Sequence, residues 1–215
     1  LDGFVIDDGW DDSKTLWGFG PGFPRGFGPL REAAAKFGAG LGTWLSPWGG
    51  YEKALEERKQ AALAAGYTLN ARGLSLADGR YADRFSDIVR SFVREQGIRY
   101  LKIDGFGAGL SASGGEAESR VETVALLRLL RSLRTEFPDL FVNLTVGSWP
   151  SPYFLRYVDT VWRGGADSGH CGAGFTRQQW ISFRDSELRK NVVVRSPLFP
   201  VPAVMVHGVQ HALLG

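Results

Sequence analysis

Lys102 and Asp104 are the residues whose type and spacing speak most directly of chemistry. They lie in Ile98-Arg99-Tyr100-Leu101-Lys102-Ile103-Asp104-Gly105, a short apolar run that ends on a carboxylate and breaks at once into glycine. Residues i and i+2 of a strand face the same way, so this spacing sets a cation beside a carboxylate. A buried strand gains nothing from such a pair. At the carboxyl end of a strand in an α/β enzyme, the same pair can hold and attack a substrate. Two further strand ends carry charge. Phe4-Val5-Ile6 runs into Asp7-Asp8-Gly9-Trp10-Asp11-Asp12, and Val158-Asp159-Thr160-Val161-Trp162 runs into Arg163-Gly164-Gly165-Ala166-Asp167. Asp7 and Asp8 abut their strand and are read as site residues. Asp11 and Asp12 are read as a solvated acidic turn.

Two carboxylates offered by different strand ends suit cleavage of a glycosidic bond, where one attacks the anomeric carbon and the other protonates the leaving oxygen. Their pKa values must then be split. Lys102 favours an ionised Asp104. Asp167 follows two glycines and an alanine, with Arg163 as its nearest cation in sequence. It is expected in a drier site with a raised pKa, as a general acid needs. Arg163 with Asp167 alone reads as a structural ion pair, since such networks also perturb pKa values. The company of Lys102–Asp104 and Asp7–Asp8 reverses that reading.

These residues need elements to position them. Strands are expected at 4–6, 40–45, 98–103, 140–146, 158–162 and 192–194. Helices are expected at 30–37, 52–65, 83–96, 116–137 and about 177–188, the fourth with Leu126, Leu129, Leu130, Leu133 and Phe137 on one stripe. Residues 17–29 form a glycine- and proline-punctuated loop whose prolines remove the N–H donors a phosphate cradle needs. Gly105-Phe106-Gly107-Ala108-Gly109 is not read as a dinucleotide loop, because Asp104 would repel a pyrophosphate. Asn143-Leu144-Thr145 matches a glycosylation sequon, yet an asparagine inside a buried strand is a poor acceptor.

Apolar strands alternating with helices predict a parallel sheet with helical crossovers. Nearly every strand ends in a loop bearing Asp, Arg or Trp, which suits a (β/α)8 TIM barrel. A complete barrel takes ~250 residues, whereas this chain has 215. It opens inside a strand pattern at Leu1 and closes inside an amphipathic pattern at Gly215. The expectation is an incomplete barrel over 1–215, the partial catalytic domain of a longer protein.

Composition excludes several classes. Net charge is +2 with basic residues scattered, so no electrostatic footprint for nucleic acid or an anionic membrane surface is present. No apolar run approaches the ~20 residues of a membrane span. The single cysteine, Cys171, excludes an intrachain disulfide.

The three strand ends, in order, resemble the retaining α-galactosidases of glycoside hydrolase families 27 and 36 (clan D), together with the related α-N-acetylgalactosaminidases. Phe4-Val5-Ile6-Asp7-Asp8-Gly9-Trp10, Tyr100-Leu101-Lys102-Ile103-Asp104-Gly105 and Trp162-Arg163-Gly164-Gly165-Ala166-Asp167 carry the resemblance. Phe23-Pro24-Arg25-Gly26 is similar to a turn that follows the Asp-Asp motif there. The resemblance implies a (β/α)8 barrel of which strands 2 to 7 are present. It implies Asp104 as nucleophile and Asp167 as acid/base. It further implies that Asp7 and Asp8 grip the 4- and 6-hydroxyls, that Lys102 binds ring hydroxyls, that Arg163 lies near the 2-position, and that Trp44 lines the subsite. No metal or other cofactor is implied. The substrate would be an oligosaccharide or glycoconjugate with a terminal α-galactosyl-type sugar.

The chain departs from the family at Ile103, where an aromatic is usual, and at Ser148-Trp149-Pro150-Ser151. Small Ser148 and Ser151 leave room for a 2-acetamido group, so N-acetylgalactosamine stands beside galactose as substrate. Transfer to another sugar, as in relatives of the raffinose-synthase type, and non-catalytic carbohydrate binding remain as alternatives to hydrolysis. A metal site is the remaining alternative. His207 and His211 share helical spacing but lack the Glu of His-Glu-x-x-His, and Asp167, His170 and Cys171 are merely close in sequence.

Overall fold

The computed structural model describes residues 2–105, 116–145 and 151–206. It divides into two compact units, Leu1–Gly147 and Ser148–Gly215.

The first unit opens with β1 (Gly3–Ile6), a two-stranded antiparallel hairpin of β2 (Asp11–Asp12) and β3 (Gly18–Phe19), α1 (Gly28–Ala35) and β4 (Gly40–Leu45). It continues through α2 (Glu52–Ala64), α3 (Gly79–Arg94), β5 (Ile98–Ile103), α4 (Glu116–Glu136) and β6 (Phe141–Leu144). β1 pairs with β4, β4 with β5 and β5 with β6, every pair parallel. Parallel neighbours cannot be joined by a tight turn, and a helix fills each crossover here. Consecutive β-α-β units in chain order are the arrangement of an incomplete α/β barrel.

The helices form where their apolar periodicity meets the sheet. α3 buries Tyr81, Phe85, Ile88, Val89 and Phe92 on one face. It starts four residues earlier than the periodicity predicts, because the Asp78 carboxylate accepts the backbone N–H of Arg80 and caps the first turn. α4 buries Leu126, Leu129, Leu130 and Leu133 as expected. Its last turn is tied to α3 by Glu136, which pairs with Arg90 at 2.8 Å and Arg94 at 2.5 Å.

Two expectations are corrected in this unit. β1 is not buried on both faces, since Phe4 and Val5 are exposed and β1 pairs only with β4 among the described residues. Segment 17–29 is not merely loop. Phe19 and Phe27 join Trp10 and Phe92 in an aromatic cluster of mainly edge-to-face contacts, with centroids 4.8 to 5.7 Å apart.

The second unit contains a short 3-10 turn at Pro152–Arg156, β7 (Thr160–Trp162), α5 (Thr176–Leu188) and β8 (Val204–Met205). β7 and β8 pair in parallel. The expected strand at 192–194 is instead helical, in a widened turn over Arg189–Val193 that continues α5. A run of three β-branched residues is too short to choose between helix and strand. Val192 faces inward while Val193 and Val194 face solvent, which suits a helix surface. Ser148, His207, His211 and the glycine-rich run 106–109 lie outside the described residues.

Candidate active site

Asp104 sits one residue beyond β5 and is 7% exposed. The ladder extends past the strands to hold it. Its own N–H donates to the Leu45 carbonyl at 3.0 Å, and the Thr145 N–H donates to the Ile103 carbonyl at 2.8 Å. Four donors among the described residues reach its carboxylate. Oδ1 accepts the Tyr51 hydroxyl at 3.0 Å, the Gly105 N–H at 2.8 Å and the Thr145 hydroxyl. Oδ2 accepts the Trp44 indole N–H at 2.9 Å. Burial alone would push this carboxyl up. The Thr145 hydroxyl, the Trp44 N–H, the Gly105 N–H and the nearby Lys102 charge outweigh burial and hold it below the ordinary aspartate value. The site therefore keeps a buried carboxylate ionised.

Gly105 makes this possible. Its φ is +78°, and a Cβ there would come within 3.0 Å of Ser46 Oγ. Ser46 Oγ is itself buried with no hydrogen-bond partner among the described residues.

Lys102 does not bond Asp104. Its ammonium reaches both oxygens of Asp7, at 2.9 and 2.8 Å, from two strands away. The structure thus brings together Asp7, Lys102 and Asp104. Asp8 is held differently, through Arg58 Nη2 at 3.3 Å.

Arg58, on α2, is a residue the sequence reading missed. It is fully buried and pairs with Asp11 in a two-point contact, Nη2 to Oδ1 at 2.7 Å and Nε to Oδ2 at 3.1 Å. It also donates to the Gly49 carbonyl at 2.7 Å and lies over the Trp17 ring at 4.5 Å. Asp11 is accordingly no solvated turn residue, because its carboxylate is 1% exposed against that guanidinium. The bend that carries Trp17 to Arg58 is strained: Leu16 and Trp17 have φ of +52° and +76°, sparsely populated for bulky side chains.

Trp44 also departs from expectation. It is wholly buried, flanked by β1 and β5, with Trp17 against its ring at 6.1 Å and Arg58 at 5.5 Å. Its N–H serves the carboxylate, and its face is not open to a sugar.

In the second unit Arg163 and Asp167 also differ from their expected settings. Arg163 is fully buried. Its guanidinium donates to the carbonyls of Gly164 at 2.5 Å, Ala166 at 2.8 Å and Asp167 at 3.2 Å, so it shapes the loop from within. Burial lowers its pKa against the opposing charges of Glu187 and Asp167. Asp167 stands exposed on that loop and not in a dry recess. Gly165, at φ +80°, leaves space that Glu187 fills. Among the described residues, no group of three or more His, Cys, Asp or Glu could hold a metal ion, and no helix is long and apolar enough to cross a membrane.

No family model matches the chain, and no curated protein matches it. Solved structures do. A family-36 α-galactosidase from Geobacillus stearothermophilus, determined with raffinose, superposes with a TM-score of 0.58 at 16% identity, over 96% of this chain and 30% of that one. An α-galactosidase from Lactobacillus brevis gives 0.55 at 16% identity, over 75% of this chain and 25% of that one. A cycloalternan-forming enzyme from Listeria monocytogenes, bound to a pentasaccharide, gives 0.53 at 14% identity, over 78% and 20%. The chain thus spans less than a third of the length of each of these three, and at such identities the likeness shows a shared fold.

Proposed function

We propose that the chain is the part of a glycoside hydrolase that carries the nucleophile of a retaining, α-galactosidase-like reaction. The observation that carries this reading is Asp104, a buried carboxylate at the end of a parallel strand, kept ionised by four donors. A nucleophile must be charged and held in place, and the burial and four donors of Asp104 support that role. The fold shared with α-galactosidase structures supports it.

In this reading Asp104 attacks the anomeric carbon, and Asp167 protonates the departing oxygen and later takes a proton from water. Asp7, Asp8 and Lys102 bind sugar hydroxyls. The Lys102–Asp7 pair offers both donor and acceptor character at one point, as a sugar hydroxyl requires. Arg163 acts by shaping the loop that bears Asp167, and Trp44 acts on the carboxylate. The substrate is an oligosaccharide or glycoconjugate ending in an α-linked galactosyl-type sugar, and a small Ser148 would admit a 2-acetamido group. The catalytic domain to which residues 1–215 contribute is an α/β barrel.

An activated 2-fluoro α-galactoside, applied to the full-length protein and followed by peptide mapping, tests this. The expected outcome is a covalent adduct on Asp104. A label on another carboxylate, or none, would falsify the assignment. Nitrophenyl α-galactoside and α-N-acetylgalactosaminide, compared side by side, decide between the two sugars.

A further inference from the structure

The two oxygens of Asp104 are unequally held. Oδ1 receives three donors, from Tyr51, Gly105 and Thr145. Oδ2 receives one among the described residues, from Trp44. A carboxylate oxygen has room for about two strong acceptor contacts, so among the described residues Oδ1 is saturated while Oδ2 keeps a free direction. We propose that Tyr51 and Thr145 are positioning residues that fix Oδ1 as the spectator oxygen, leave Oδ2 to bond to carbon, and speed departure of the enzyme carboxylate in the second half of the reaction. This rests on the nucleophile reading above.

The chemistry follows from where charge goes. In the first step a bond forms between Oδ2 and the anomeric carbon as the bond from that carbon to the leaving oxygen breaks. The proton on Asp167 passes to the leaving oxygen. Oδ1 becomes the carbonyl oxygen of an ester and loses most of its negative charge. In the second step water bonds to the carbon, its proton passes to Asp167, and the electron pair of the breaking carbon–Oδ2 bond returns to the carboxylate. Charge then reappears on Oδ1, facing three donors already in place. Hydrogen bonds to a charged acceptor are the stronger ones, so these donors favour the second step. They act against the first, because they stabilise the carboxylate that must attack.

The geometry of Tyr51 supports a built-in role. Tyr51 is 37% exposed as a residue, yet its hydroxyl is committed to a buried oxygen. The next residue, Glu52, has φ of +49°, a left-handed conformation at the start of α2. Such strain persists only where surrounding contacts hold it, and here it accompanies the turn that aims Tyr51 at Asp104. Thr145 is 2% exposed and is pinned by its own N–H to the Ile103 carbonyl.

The test uses Tyr51→Phe and Thr145→Val in the full-length protein, with 2,4-dinitrophenyl α-galactoside as probe. That leaving group needs no protonation, so the first step is fast. The expected result is a burst of dinitrophenol, followed by steady turnover about tenfold slower than in the unsubstituted protein, the loss of one charge-assisted donor in the second step. KM should fall in parallel, and azide should restore the steady rate by attacking the accumulated intermediate. Thr145→Val keeps the test alive if Tyr51→Phe does not fold. A burst phase slowed in the same proportion as the steady rate, or unchanged kinetics in both variants, overturns the proposal. The two failures are distinguishable: a fluoro-sugar label on Asp104 without the burst sinks this inference alone, whereas no label on Asp104 sinks the nucleophile reading with it.

Discussion

Trp44 donates its indole N–H to Oδ2 of Asp104 at 2.9 Å, while its backbone carbonyl accepts the indole N–H of Trp10, also at 2.9 Å. The candidate nucleophile is thereby chained to the aromatic cluster of Trp10, Phe19, Phe27 and Phe92, and its position inherits the rigidity of the core. Trp44→Phe keeps a ring in the sheet and removes the donor. It should slow the second step, in which the carboxylate is released, and so lower kcat by roughly tenfold, the effect of one charge-assisted hydrogen bond. Circular dichroism should show an intact fold, and the acid limb of the pH–rate profile should move upward.

Protonation of Asp104 should also register in stability. Its folded-state pKa is lowered, so the unfolded chain binds the proton more tightly. The stabilisation is then fully present above the unfolded value, about 3.9, and is lost as pH falls through the lower folded value. Denaturant unfolding of the protein and of Asp104→Asn, measured from pH 6 downward, checks this. The gap between the two should hold steady until about pH 4 and close below it. A gap that widens on acidification contradicts the sign.

Arg58 and Asp11 are both buried, and breaking such a pair strands a charge. Arg58→Met should destabilise the protein by about 3–5 kcal/mol, read from the denaturation midpoint. The double variant with Asp11→Asn should recover part of that loss, because the stranded carboxylate is gone. If the single variant costs no more than the double, the pair is not coupled as described.

Gly165→Ala tests the loop that bears Asp167. At φ +80° an L-residue is strained, and its Cβ would fall 1.6 Å from the present position of Glu187 Oε2. Glu187 can swing away, but the backbone strain remains, about 1–2 kcal/mol. A lowered melting temperature should accompany slower turnover of substrates with poor leaving groups. Asp167→Ala should show the same leaving-group dependence without the thermal shift, since only poor leaving groups need protonation.

Much of the framework was legible in the sequence because it is written in periodicity. β4 and β5 fall at the predicted residues, and α2, α4 and α5 lie within a residue or two of theirs. The strand-end carboxylates Asp7, Asp8 and Asp104 were legible for a similar reason, since charge stands out beside apolar runs. What escaped notice was neutral or disguised. Tyr51 and Thr145 carry no charge, and their donor role exists only after the chain brings three strand ends together. Arg58 sits in Glu56-Glu57-Arg58-Lys59, where it looks like one more surface cation of a polar helix. Its burial depends on Trp17, which reaches it by a left-handed bend that no local pattern announces. Arg163 and Trp44 were expected to contact substrate and are instead buried against their neighbours, because residue type alone does not tell a group that touches substrate from one that braces a neighbour.

The end of β5 is held by the ladder on both sides: the Asp104 N–H donates to the Leu45 carbonyl, and the Ile103 carbonyl accepts the Thr145 N–H. This places a constraint on descent. A single residue inserted into or deleted from β5 would turn Lys102 and Asp104 away and bring Ile103 to the front. Among descendants of such a chain, β5 can change its outward residues, such as Arg99, without changing its length. Gains and losses of residues should accumulate instead in exposed connecting stretches such as 168–175, which belong to no strand.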